Sequence, residues 1–156
     1  MAVTVEIPGK RTLCFENLVL DYNGTLAVDG ILKKGTKPLL KELAKHLKIF
    51  VITADTFGTV TEQMKNLPVS VTVLPKEKQD EAKMKFVENL GFENTVAIGN
   101  GNNDRLMLQK AILGIAVMLE EGVAVKTLNA ADIFCKNIED ALTLLIKHKR
   151  LTAGLR

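Results

Sequence analysis

Four short stretches of this sequence carry side chains that could act together in chemistry. The first is Asp21-Tyr22-Asn23-Gly24-Thr25-Leu26, where a carboxylate ends the apolar run Leu18-Val19-Leu20 and a glycine follows shortly after. The glycine permits a tight turn that aims backbone groups inward. A carboxylate placed there can attack phosphorus and form an aspartyl-phosphate, or it can ligate magnesium, which takes hard oxygen ligands. It can equally cap an ordinary turn. The second stretch is Gly99-Asn100-Gly101-Asn102-Asn103-Asp104, between a strand pattern and a helix pattern. Its two glycines allow close approach, a helix N-terminus favours an anion, and Asn100 and Asp104 offer oxygen ligands. The third is Thr53, whose hydroxyl can hold a phosphoryl oxygen or simply end a strand. The fourth is Lys83, which can neutralise a transferring phosphoryl group. Lys76, Lys78 and Lys85 lie nearby, so a solvated basic face is the plainer alternative for Lys83.

These residues need elements to position them. Residues 3–7 and 12–15 read as a hairpin around Pro8-Gly9-Lys10. Residues 18–20, 49–52, 69–74, 96–98 and 115–118 read as buried strands, with a further short run at 132–134. Helix patterns fall between them: Leu39, Leu40, Leu43 and Leu47 after Pro38, then 59–67, 77–90 with Gly91 as a stop, 103–111, 123–130 and 138–147. Alternating strands and helices imply right-handed crossovers and a mostly parallel sheet covered on both faces. The continuous apolar strands fit such burial. Ligands bind such sheets beyond the carboxyl ends of the strands, where Asp21, Thr53, Asp55 and residues 100–104 fall.

Composition narrows the classes. A chain of 156 residues predicts one domain able to bury a sizeable core without a staple. A net charge of +3 and 4% aromatic residues argue against nucleic acid and an anionic membrane. Cys14 and Cys135 form neither a disulfide framework nor a zinc motif, and both read as buried small residues in a reducing compartment. No signal peptide precedes residue 12, and the longest nearly uniform apolar stretch, 111–119, is short of a membrane span. A soluble, cytoplasmic protein is expected. His46 and His148 lie among lysines and read as solvated.

Taken in order, Asp-x-Asn-Gly-Thr-Leu, Thr53 after an apolar strand, Lys83 and Gly-Asn-Gly-Asn-Asn-Asp resemble the haloacid dehalogenase-like superfamily. Within it, the chain is most similar to small soluble proteins like the phosphorylation domain of P-type ATPases. Residues 83–88 resemble the lysine-bearing helix of those proteins, and the likeness covers nearly the whole chain. It implies one core domain over residues 1–156, with a three-layer Rossmann-like α/β fold and no cap domain. It also implies Mg2+ as cofactor and a phosphorylated substrate, small or macromolecular. Asp21 would be the nucleophile, with Asn23, Thr53 and Lys83 the other catalytic positions. Gly24, Thr53, Ala54 and Lys83 would hold the phosphoryl group. Asp21, the Asn23 carbonyl, Asn100 and Asp104 would form the metal site. The short gaps from Asp21 to Thr53 and from Thr53 to Lys83 leave the site open.

Two positions depart from the family pattern. Asn23 replaces an Asp that protonates the leaving group and later activates water, help typically worth about 10²–10⁴-fold. Asn100 replaces a magnesium-binding Asp and removes a charge. Both predict a slow enzyme with a longer-lived phosphoenzyme. They also leave open a degenerate member that binds phosphorylated ligands or a protein partner without efficient turnover. Other readings are weaker. Gly30 to Lys37 ends Gly-Thr-Lys rather than Gly-Lys-Thr, a near miss to a phosphate-binding loop. Gly99-x-Gly101 with Glu120 resembles a dinucleotide fingerprint, but Asp104 stands where its third glycine belongs. A receiver module would need an earlier acidic pair. Asp29, Asp55 and Arg105 lie near enough in sequence to reach the site.

Overall fold

A computed structural model of the chain describes residues 1–55 and 58–156. The first two strands, β1 (Val3–Glu6) and β2 (Thr12–Phe15), form the antiparallel hairpin that the Pro-Gly turn predicts. Next comes β3 (Asn17–Asp21), then a small hairpin of β4 (Ala27–Val28) and β5 (Ile31–Leu32). The chain continues through α1 (Thr36–Leu43), β6 (Lys48–Thr53), α2 (Thr59–Gln63), β7 (Ser70–Val73) and α3 (Gln79–Leu90). It then runs through β8 (Thr95–Gly99), α4 (Arg105–Lys110), β9 (Leu113–Val117), α5 (Val125–Ala130), β10 (Ile133–Cys135), α6 (Ile138–Ile146) and α7 (His148–Leu155).

The main sheet has six parallel strands in the order β10-β9-β8-β3-β6-β7. From β3 the chain builds outward through β6 and β7, then returns to β8 on the other side of β3 and builds outward again. The reversal opens a crevice between the carboxyl ends of β3 and β8, the position where such sheets bind ligands. Asp21 ends one strand and Asn100 follows the other.

Strand side chains alternate between two cores. Leu18, Leu20, Ile49, Val51, Val96, Ile98, Leu113, Ile115 and Val117 face a large cluster that includes residues of α1, α2, α6, α7 and the first hairpin. Val19, Ile52, Ala97 and Ala116 face a smaller cluster with Val87, Met107 and Leu108 from α3 and α4. Each large aliphatic side chain fully buried this way contributes roughly 1.5–3 kcal/mol. The second face is built from smaller residues, so α4 can sit close to the sheet. Gly114 is the extreme case: a Cβ there would collide with the Leu108 carbonyl. Seating α4 closely also fixes the loop that leads into it, residues 99–104.

The structure departs from the sequence reading in several places. The helix predicted over 59–67 is confined to Thr59–Gln63. Helix α7 and the small β4–β5 hairpin went unread. The Asp29-Gly30 turn has φ of 51° and 78°, the positive pair that two-residue hairpin turns require. Cys14 is half-buried rather than buried, whereas burial pushes the Cys135 thiol up to about 11, with the nearby Asp140 adding to the shift. His46 is exposed as expected, but His148 is half-buried with Nε2 2.9 Å from the Leu145 carbonyl. No described helix is long and apolar enough to cross a membrane. The close seat of α4 predicts that Gly114→Ala destabilises the fold by about 1–3 kcal/mol in urea unfolding, by forcing backbone apart in a packed interior.

Candidate active site

A cleft of about 440 Å³ opens at the carboxyl end of the sheet, lined by Asp21, Asn23, Thr53, Ala54, Lys83 and Asn100 among others. Asp55, Gly101 and Asn103 also line it, whereas Gly24, Asn102 and Asp104 are not part of its described lining. A larger recess of about 690 Å³, beside β10 and α7, contains none of them.

The centre of the site is a buried ion-paired group. Lys83 projects from α3 with only 1% of its surface exposed. Its Nζ lies 2.8 Å from Asp21 Oδ1 and 2.7 Å from Asp104 Oδ1. The neighbouring lysines do not share this burial, so the solvated-face alternative fails for Lys83 alone. Asp104 uses its other oxygen on the preceding loop: Oδ2 accepts from the amides of Asn100 at 2.9 Å and Gly101 at 3.0 Å. A Cβ on Gly99 would lie 2.5 Å from Asp104 Cγ, so this tuck needs glycine at that position.

This geometry corrects one expectation. Asp104 is fully buried and both of its oxygens are occupied, so it is not placed as a direct metal ligand. It holds Lys83 and folds the Asn100 loop. The dinucleotide reading also loses its basis. The loop amides that would cradle a pyrophosphate already serve Asp104, and Glu120 points outward to Lys33 Nζ at 2.8 Å.

Around Asp21 the backbone turns sharply. Gly24 has φ of 81°, and a Cβ there would lie 2.5 Å from Asn100 Nδ2. The turn is closed by Gly24 N to the Ala27 carbonyl at 2.8 Å and Ala27 N to the Tyr22 carbonyl at 3.0 Å, bonds that do not involve the Asn23 carbonyl. The Tyr22 hydroxyl donates to the Gly30 carbonyl at 3.0 Å and pins the small hairpin. Its pKa is pushed up to about 12 by burial and by the Asp55 charge. Thr25 Oγ1 lies 3.2 Å from Asp21 Oδ2 and 3.4 Å from Asn100 Oδ1. Asn100 Nδ2 donates to the Gly122 carbonyl at 3.2 Å, which leaves Oδ1 on the Asp21 side. Across the cleft, Thr53 Oγ1 accepts from the Asp55 amide at 3.1 Å.

The donor set fits magnesium. Asp21, Asn23 and Asn100 all line the crevice, and the Asp21 carboxylate, the Asn23 carbonyl and Asn100 Oδ1 are the hard oxygens such an ion takes. Among the described residues no group of three or more His, Cys, Asp and Glu is arranged to hold an ion by itself. A cation here therefore depends on carbonyl and amide oxygens as well.

Sequence reasoning missed Gln79, Asn103 and Glu121, which also line the cleft. Asn103 lay inside a motif, and its Nδ2 donates to Gln79 Oε1 at 2.8 Å. Gln79 and Glu121 sit outside any motif, and only the fold brings them in. Asp55 lines the cleft, whereas Asp29 and Arg105 are not part of its described lining.

Two acids share one lysine, and the electrostatics follow. Burial, then the Asp104 charge, raise the Asp21 carboxyl from 3.8 to about 7 against the opposing pull of Lys83. Burial alone would lower the Lys83 ammonium, but the Asp21 and Asp104 charges outweigh it and raise its pKa. Folded Asp21 therefore keeps its proton to higher pH than the unfolded chain does. The stability tied to that proton is fully present below about pH 4 and is lost as pH rises toward about 7. In metal-free buffer, thermal melts should show wild type and Asp21→Asn closest in stability near about pH 4. At about pH 8 the variant should be more stable, by on the order of 1–2 kcal/mol.

No family model matches the sequence. Among curated proteins, the chain is 49% identical over 79 residues to an uncharacterised protein of Methanocaldococcus jannaschii, covering 48% of this chain and 85% of that one. It is 34% identical over 109 residues to a probable copper-exporting P-type ATPase of Archaeoglobus fulgidus, covering 67% of this chain but only 13% of the transporter. Among solved structures, 3-deoxy-D-manno-octulosonate 8-phosphate phosphatase of Moraxella catarrhalis superposes with a TM-score of 0.72 at 16% identity. The match covers 91% of this chain and 94% of that one. The chain thus has the fold of solved haloacid dehalogenase-like hydrolases, capless among its described residues, and over 67% of its length it is similar to a copper-exporting P-type ATPase.

Proposed function

We propose that this protein is a magnesium-dependent phosphohydrolase working through an aspartyl-phosphate on Asp21. The observation that carries the reading is the convergence of the Asp21 carboxylate, Lys83 ammonium and Thr53 hydroxyl on one cleft, with Asn100 opposite. The Moraxella structure is described as a complex with magnesium and phosphate, which supports the cofactor and the substrate class.

Asp21 attacks phosphorus with a carboxylate oxygen, and the bond from phosphorus to the leaving oxygen breaks. Lys83, Thr53 and the backbone at Gly24 and Ala54 hold the phosphoryl oxygens as charge develops on them. Water then attacks phosphorus, and the Asp21 carboxylate departs as phosphate is released. Magnesium held by Asp21, the Asn23 carbonyl and Asn100 would offset the negative charge on the phosphoryl group and on Asp21. It would also favour the ionised form of Asp21 over the protonated one.

Asn23 can donate a hydrogen bond from its amide, but it cannot deliver a proton to the leaving oxygen or take one from water. Both proton movements fall to solvent, so turnover is slow and the phosphoenzyme persists. The cleft has no lid among the described residues, which suits a substrate whose leaving group is large.

The wild type should release phosphate from a general phosphomonoester in a magnesium-dependent way. It should also form a base-labile phosphoenzyme that maps to Asp21. Asp21→Asn should abolish both, and equal rates in mutant and wild type would overturn the reading. Magnesium-supported binding of a phosphate mimic without hydrolysis would favour the binding-module alternative. Replacing Asn23 with Asp should raise turnover, by up to about 10²-fold or more. An unchanged rate would remove Asn23 as the cause of slowness.

A further inference from the structure

An amide, Asn100, stands where the resemblance implies a magnesium-binding carboxylate. Strand β9 is followed by a tight turn in which the Gly122 amide donates to the Leu119 carbonyl at 2.9 Å. The two central residues of that turn, Glu120 and Glu121, point in different directions. Glu120 is exposed and bonds Lys33 Nζ at 2.8 Å. Glu121 joins the lining of the cleft, and among the described residues it has no ion-pair partner. Its Oε2 lies 2.6 Å from the point where a Gly24 Cβ would stand, and Asn100 Oδ1 lies 2.8 Å from the same point. The two oxygens are therefore no farther apart than the sum of those distances. Oxygens on one magnesium ion are about 3 Å apart when adjacent and about 4 Å apart across the ion. An exposed glutamate closes that difference by a side-chain rotation.

The same turn bonds the amide at position 100. Asn100 Nδ2 donates to the Gly122 carbonyl at 3.2 Å. A carboxylate there would give up this one bond. The same turn carries Glu121 toward the cleft. Glycine at position 24 keeps the space between Asn100 and Glu121 clear.

Resting on the magnesium reading above, we infer that Glu121 supplies the second carboxylate of the cation site. Asn100 contributes the oxygen and Glu121 the negative charge that one acidic ligand would otherwise combine. Ligand charge count is a main determinant of affinity at such oxygen sites.

Calorimetric titration of the metal-free protein with magnesium chloride tests this directly, without reference to activity. Manganese binding followed by electron paramagnetic resonance provides a second readout. Glu121→Gln should weaken binding by about tenfold or more while thermal melts show an intact fold. Glu120→Gln removes the same charge one residue away, facing Lys33, and should change affinity less than about twofold. Asn100→Asp introduced into the Glu121→Gln protein should recover most of the lost affinity, giving a coupling that the single substitutions do not predict by addition. Wild-type affinity in Glu121→Gln, or equal losses in the Glu120 and Glu121 variants, would overturn the inference and leave the magnesium site standing. No binding by the wild type, or binding indifferent to Asp21→Asn, would overturn both.

Discussion

The site depends on one interaction: the Lys83 ammonium held in the interior between Asp21 and Asp104. It joins three elements that are distant in sequence: β3, α3 and the loop between β8 and α4. A buried lysine is tolerable only with compensating charge, and a buried acid pair only with a cation between them. Each therefore requires the others. Removing the lysine would leave two carboxylates in a low-dielectric interior. Removing Asp104 would free the loop amides as well as the ammonium. Burial, and then the neighbouring Asp104 charge, hold the Asp21 carboxyl above the usual carboxylate range.

The packing beneath serves this arrangement. Small residues on the α3–α4 side of the sheet let these helices lie close, and Gly114 admits the Leu108 carbonyl where no side chain could stand. Helix α4 is thereby fixed at its carboxyl end, and its amino end presents residues 99–104 at a set height above the strands. Tyr22 does the same for the other rim, anchoring the β4–β5 hairpin through the Gly30 carbonyl. Both rims of the cleft are thus held by contacts outside it, and among the described residues none forms a lid.

Much of this was legible in the sequence because its signals are local. Continuous apolar strands separated by helix patterns gave the parallel sheet, and the polar residues after each strand gave the crevice. Lys83 was harder. Nothing in its immediate neighbours distinguishes it from Lys85, and only its order after Asp21 and Thr53 singled it out. Asp104 was read as a ligand because a carboxylate in a glycine-rich loop looks like one. Its burial behind Lys83 is a tertiary fact. Glu121 carried no signal, because its role depends on a turn after β9 meeting a turn after β3. The β4–β5 hairpin was missed because two-residue strands leave no periodicity, although Asp29-Gly30 is a turn signal.

Asp104 takes the amides of Asn100 and Gly101, so these two donors are already spent on the fold. The lining sets the side-chain oxygens of Asp21, Asn100 and Glu121 in one cleft with the Lys83 ammonium and the Thr53 hydroxyl. On the proposed reading, with no lid among the described residues, discrimination among substrates would fall to the surface that the departing alcohol touches outside the cleft.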